Sequence, residues 1–309
     1  MLSKKYILIV CFLCFSSALH AAQAADSLLI KKVTAITLGI GKKLAPDKRT
    51  AVFNYKFNPA YTAVEIESTV ATAAQLLRQE FKQAGLQVAV QEKTLPAANL
   101  NNKTYGVASL SVANNRRDPS HAAEMMTQLL MGTPVEILKK ERGYFLVRSP
   151  EQYLSWVEDA AIAEMDALSF KEWQSAKKLV YTADYGYAYS SPDEKSLRVS
   201  DLVNGNIIKY IAKEKGFYRV AFPDQRLAYI KIDDAVAYEQ WIARPNPDAT
   251  KILNTAKTLM GVPYLWGGTS IKGVDCSGFT KTSFFLNGII LPRDASQQAL
   301  VGEAIDIFE

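Results

Sequence analysis

The sequence predicts an α+β protein in which two small β-barrels precede a domain organised around a single cysteine. Three observations carry that expectation. A middle stretch repeats itself at a constant offset of 73 residues, as short apolar runs broken by Gly and Pro turns. A helical pattern opens on Asp275-Cys276, just after a glycine-rich segment. Cys276 is also the one cysteine left once the N-terminal leader is set aside.

Residues 1–24 read as a secretory signal. Lys4 and Lys5 supply a positive start, Tyr6 to Phe15 form an apolar run, and Ala22-Gln23-Ala24 fits a cleavage site. The run is shorter than the roughly 20 residues of a membrane span. Cys11 and Cys14 follow bulky Val10 and Leu13, which argues against lipid attachment, and both leave with the signal. Exported proteins usually pair their cysteines, so the lone Cys276 is either accidental or reactive. His20 leaves too, and His121 remains. That excludes a zinc cluster of His and Cys ligands. No phosphate-cradling glycine loop occurs either, so neither metal nor cofactor is expected. The net charge of +5 falls to +3 without Lys4 and Lys5 and is not concentrated in a basic block. Nucleic acid is therefore not an expected partner. A chain of 309 residues is long for one domain.

Residues 25–104 form a lead-in region. Apolar Val70, Ala73, Ala74, Leu77 and Phe81 recur at helical spacing within Ile66 to Gly85, with Gly85 as the stop. This helix is expected to pack against the next domain. The repeat follows, as a first barrel over 105–165 and a second over 166–240. Gly132 to Val157 aligns without a gap on Gly205 to Ile230, pairing Gly143 with Gly216, Val147 with Val220 and Pro150 with Pro223. Each copy reads as strand, Gly turn, strand, Pro turn, strand. Residues 236–248 read as a linker, with Asn246 and Pro247 starting the next helix.

The last segment, 245–309, carries the chemistry. Ala249 to Met260 is an amphipathic helix with Ile252, Leu253, Ala256 and Leu259 on one side, closed by Gly261. Then come Val262-Pro263-Tyr264-Leu265-Trp266-Gly267-Gly268 and Val274-Asp275-Cys276-Ser277-Gly278-Phe279, the latter opening a helix that Gly288 ends. Asp275 suits the N-cap. Cys276 falls in the first turn, where backbone N–H groups and the helix dipole stabilise a thiolate and can hold an oxyanion. A buried structural cysteine is the competing reading. Polar Asp275 and Ser277 are poor company for one.

The repeated segment resembles the bacterial SH3-like modules that accompany cell-wall hydrolases. The run from Gly261 to Gly268 with Asp275-Cys276-Ser277-Gly278-Phe279 resembles the active-site signature of the NlpC-type peptidases. That resemblance implies a papain-like fold. With the paired barrels, it points to the subgroup of γ-D-glutamyl-L-diamino-acid endopeptidases, which cut short murein peptides. By the resemblance, Cys276 is the nucleophile and Tyr264 offers its hydroxyl near the oxyanion. Asp275, Ser277 and Trp266 line the D-glutamyl subsite. Within Leu291-Pro292-Arg293-Asp294, Asp294 takes the free amine of the substrate. Ala295 stands where the family often has serine, with Ser296 next. Glu124 and Tyr153 are the best matches for the acidic and tyrosyl groups with which a first barrel caps the cleft. The expected protein is a monomer, exported across the inner membrane to the periplasm or wall, with murein peptides as partners. The family's base and its orienting partner come well downstream of the cysteine, and no histidine follows Cys276 here. The chain is thus expected to be an incomplete reading frame, C-terminally truncated within its peptidase domain and inactive as it stands. The alternatives are a natural truncation serving as a wall-binding module, and His121 from the first barrel acting as base.

Overall fold

The computed structural model describes residues 27–243 and 248–303, in two compact units divided after Leu95. The expected signal peptide and Asn246-Pro247 lie outside the described residues.

In the first unit, helix α1 covers 27–44, followed by β1 (Phe53–Phe57), β2 (Ala63–Ser68), α2 (Ala73–Gln83) and β3 (Ala89–Thr94). The strands form one sheet in the order β1-β2-β3. β1 pairs with β2 antiparallel, and β2 pairs with β3 in parallel through the α2 crossover. The periodic residues behave as their spacing dictates: Ala73, Ala74, Leu77 and Phe81 are buried. Gly85 takes φ +69° and ends the helix, with Leu86 N–H reaching back to the Phe81 carbonyl. Ile66, at the start of the expected helix, is instead in β2. Helix α2 shares a core with Val33 and Ile40 of α1 and Val64 and Ile66 of β2.

The second unit starts with two sheets of seven strands. The first contains β4 (Tyr105–Ala108), β5 (Val112–Arg116), β6 (Met125–Leu130), β7 (Pro134–Glu141), β8 (Tyr144–Arg148), β9 (Leu154–Glu158) and β10 (Ile162–Met165). Helix α3 (Ala167–Ser175) follows, capped by Asp166, whose carboxylate accepts from Ser169 N–H at 2.8 Å. The second sheet contains β11 (Lys178–Tyr181), β12 (Tyr185–Tyr189), β13 (Arg198–Val203), β14 (Ile207–Glu214), β15 (Phe217–Ala221), β16 (Leu227–Lys231) and β17 (Ala235–Ala237).

The repeat is wider than the sequence match suggested. Every strand from β4 to β10 has its counterpart 73 residues on, and the strand orders β10-β4-β7-β8-β9-β5-β6 and β17-β11-β14-β15-β16-β12-β13 correspond. Even the bulges recur, at Ile137/Lys139 and Tyr210/Ala212. Arg142-Gly143 and Lys215-Gly216 all have positive φ, which closes the β7–β8 and β14–β15 hairpins with the backbone twist that adjacent strands require. Each order has two ends, so these are open sheets rather than rings closed by hydrogen bonds. Their cores are separate. One contains Leu129, Ile137, Phe145 and Val157, and the other Leu202, Ile208, Val220 and Ile230.

The chain then forms α4 (Tyr238–Ile242), α5 (Ala249–Thr258), the short strands β18 (Thr269–Ser270) and β19 (Gly273–Val274), α6 (Cys276–Phe285) and α7 (Ala295–Gln298). The expected linker is thus partly helical. Trp241 of α4 is buried, with its ring 5.5 Å from that of Phe285. The cap of α5 is Asp248 rather than Asn246, accepting from Lys251 N–H at 2.7 Å. Leu253, expected on the packed side of α5, is exposed.

Candidate active site

Cys276 is the first residue of α6, and it is exposed. Asp275 is the N-cap, its Oδ1 accepting from Gly278 N–H at 2.6 Å. The face that α6 buries consists of small and polar residues, namely Ser277, Gly278, Thr282 and Ser283, while Phe279 points outward. Those small residues let the helix start lie against the preceding turn. A Cβ on Gly278 would run into the carbonyl oxygen of Gly268.

Asp275 has a second role, which sequence reasoning missed. Its Oδ2 accepts from Gly267 N–H at 2.9 Å and from the Arg293 guanidinium at 2.6 Å. Arg293 also donates to Ser277 Oγ at 2.8 Å, and the arginine is 1% exposed. Burial alone would push the Asp275 carboxyl up. Arg293 and the backbone N–H groups of Gly278 and Gly267 outweigh that and hold it below the usual carboxylate range. Asp275 and Ser277 are both buried, and their polar atoms face Arg293 and the backbone of the loop.

Tyr264 and Trp266 are both largely exposed, on the segment just before β18. Tyr264 is bridged to Val274, and Leu265 N–H donates to the Val274 carbonyl at 3.0 Å, which brings the Tyr264 segment alongside the approach to Cys276. Gly267, at φ +80°, would place a Cβ 2.7 Å from the carbonyl oxygen of Met125, so only glycine fits where β6 closes on this loop.

The first sheet contributes on two sides. Glu124 precedes β6 in a connecting loop, not in a helix, and its Oε1 accepts from the Trp266 indole N–H at 2.9 Å. Arg117 holds its Oε2 at 3.0 Å. Tyr153 is buried rather than a surface aromatic, and its hydroxyl donates to Asp294 Oδ2 at 3.1 Å. Asp294 is also the N-cap of α7, in a reciprocal capping box with Gln297. His121 is exposed in the connection between β5 and β6, with Nδ1 3.3 Å from Glu158 Oε1 and its ring edge-on to Tyr144.

Two further links were not legible in advance. Thr269 N–H and the Ser270 hydroxyl both donate to Gln128 Oε1, at 2.9 and 3.0 Å. Lys281 on α6 pairs with Glu151 at 3.1 Å, and both side chains are largely buried. Among the described residues, no cluster of three or more His, Cys, Asp or Glu could hold a metal ion.

The exposed thiol at the start of α6 thus lies next to a glycine turn, with the first sheet in contact through Glu124 and Tyr153. Comparison with known proteins places likenesses on these same segments. Residues 261–309 match the NlpC/P60 family and residues 115–162 the bacterial dipeptidyl-peptidase Sh3 domain. The chain is 30% identical over 197 residues to the γ-D-glutamyl-L-lysine dipeptidyl-peptidase of Bacillus cereus, covering 60% of this chain and 58% of that protein. It is 28% identical over 193 residues to the protein of the same name from Bacillus subtilis, covering 59% and 60% respectively. The chain thus spans less than two thirds of either relative. Its fold is similar to the crystal structure of an NlpC/P60 family protein from Bacillus cereus, with a TM-score of 0.58 at 23% identity over 66% of this chain and 79% of that one.

Proposed function

We propose that this site is built to hydrolyse the γ-D-glutamyl–diamino acid bond of murein peptides, at the cell wall outside the inner membrane. The observation that carries the reading is the pair of contacts by which the first sheet closes on the cysteine's surroundings, Glu124 to Trp266 and Tyr153 to Asp294.

In this reading the Cys276 thiolate attacks the γ-carbonyl carbon of the D-glutamyl residue. The resulting oxyanion is held by the N–H of Cys276 and the Tyr264 hydroxyl. The C–N bond breaks, the diamino acid leaves with a proton on its amine, and water then cleaves the thioester. Trp266 packs against the D-glutamyl group. Asp275 and Ser277 shape its subsite, in part through Arg293, and Asp294 with Glu124 receives the peptide's free amine. The proton transfers need a base beside the thiol, and the sequence has no histidine after Cys276. These 309 residues alone are therefore expected to hold peptide without turning it over. A second reading, a non-catalytic module that binds wall peptides, uses the same contacts at Trp266 and Asp294 without turnover.

Calorimetric titration with a murein tripeptide bearing a free amine, alongside its N-acetylated form, tests the shared part of both readings. Saturable binding of the free peptide, weakened at least about tenfold by acetylation, supports it. Equal binding of both forms contradicts it. Release of diamino acid by the 309-residue chain would overturn the expectation of inactivity and eliminate the second reading.

A further inference from the structure

Because the two seven-stranded sheets are copies at an offset of 73, each position in one has a counterpart in the other. Gln128 of β6 and Asp201 of β13 are such counterparts, and both grip the same hairpin. Gln128 takes Thr269 and Ser270 of β18. Asp201 takes Lys272, in the turn between β18 and β19, with Nζ to Oδ2 at 2.6 Å. Ser111, from the loop between β4 and β5, completes the junction. Its hydroxyl is 2.8 Å from the Asp201 carboxylate and 3.0 Å from the Lys272 ammonium.

The hairpin held in this way leads straight into the nucleophile. Gly273 and Val274 form β19, Asp275 caps α6, and Cys276 begins it. The second sheet reaches α6 itself as well, since a Cβ on Gly205 would stand 2.9 Å from the Phe285 ring. A merely connected scaffold domain has no need of a charge in this place. The apolar packing of Met131 into the second core already joins the two sheets. The charged junction instead fixes the turn of the one hairpin from which the thiol is displayed.

We infer that Asp201 and Lys272 are positioning residues for Cys276, and that the second sheet is one jaw of a clamp whose other jaw is Gln128. Neither side chain touches substrate. They act by setting where the hairpin enters α6, and so where the thiol and the first-turn N–H groups stand. Misplacement by about 1 Å is enough to slow chemistry severely. The inference rests on Cys276 being the nucleophile of the proposed function.

The test uses the 309-residue chain and follows iodoacetamide alkylation at the peptide that bears Cys276, by mass spectrometry. Asp201→Ala and Lys272→Met are each expected to change that rate about three- to tenfold. The double variant should go no further than either single one, and Lys272→Arg should stay within about twofold of the parent. A brace that only stabilised the fold would lower Tm and leave the rate in the folded protein unchanged. Unchanged alkylation in both single variants overturns the inference. If Asp201→Ala does not fold, Lys272→Met in the turn carries the test alone, with the same two results. Alkylation requires no turnover, so a parent chain that binds no peptide would sink the peptidase reading and leave this readout intact.

Discussion

Arg293 and Asp275 form a buried ion pair at 2.6 Å directly beneath the residue that begins α6. One carboxylate thereby caps the helix that carries the thiol, pins the Gly267 turn and neutralises a guanidinium that is almost fully enclosed. Three segments thus meet on two oxygens.

Removing one partner of such a pair leaves a bare charge in the interior. Arg293→Ala is therefore expected to cost about 3–5 kcal/mol, read as a lower midpoint in urea unfolding. Arg293→Lys should recover only part of it, because an ammonium cannot reproduce the forked contacts to Asp275 and Ser277.

The same pair sets an acid limit. The folded-state Asp275 carboxyl lies below its unfolded value of about 3.9, with burial opposing the shift and Arg293 and the backbone donors producing it. Its contribution to stability is thus complete above the unfolded value and is lost as pH falls through the folded one. Tm measured from pH 6 downward should decline more steeply in the parent than in Asp275→Asn, which is less stable at neutral pH and has no such carboxylate to protonate. Parallel curves would show that the pair is not the titrating element.

Lys281 and Glu151 offer a second buried pair, joining α6 to the loop between β8 and β9. Burial pushes Glu151 up, but Lys281 and hydrogen bonding hold it below the carboxylate range. Glu151→Ala should destabilise by about 3–5 kcal/mol, whereas Glu151→Met with Lys281→Met should cost far less. A double-mutant cycle by denaturant titration measures the difference.

On the cleft side, Glu124→Ala and Tyr153→Phe each remove one polar closure contact. Both are expected to weaken binding of the free-amine tripeptide by about tenfold while leaving Tm within a few degrees. Calorimetry against the parent shows whether either contact matters to the ligand.

Much of this arrangement was legible in the sequence because it is local. Asp275 precedes Cys276, Gly85 and Gly288 follow helices, and the Gly143 and Gly216 turns lie in a visible repeat, so the chain needs only its neighbours to specify them. The 73-residue correspondence read from Gly132 to Val157 was the conserved-looking middle of a longer one. The flanking strands had diverged in composition, with Val112-Ala113-Asn114-Asn115-Arg116 in one copy and Tyr185-Gly186-Tyr187-Ala188-Tyr189 in the other. Open sheets rather than closed barrels could not be read, since strand periodicity is the same in both. Nor could the buried face of α6 be read, because Ser277, Gly278 and Ser283 carry no apolar signal and are buried by close approach. The charged junctions were least visible of all. Asp275 meets Arg293 across 18 residues, but Glu151 meets Lys281 and Asp201 meets Lys272 across far longer separations, and a lone charge in a sequence does not name its partner.

The central claim, that Cys276 is a nucleophile aimed at a D-glutamyl carbonyl, is most directly tested by trapping. The chain is incubated with a murein peptide analogue whose γ-D-glutamyl carbonyl is replaced by an electrophile, and the intact mass and the modified peptide are read by mass spectrometry. One adduct at Cys276 is expected, slowed by unmodified free-amine tripeptide and absent in Cys276→Ser. Alkylation of Cys276 by iodoacetamide with no adduct from the peptide electrophile, or an adduct that the free peptide does not slow, would contradict it.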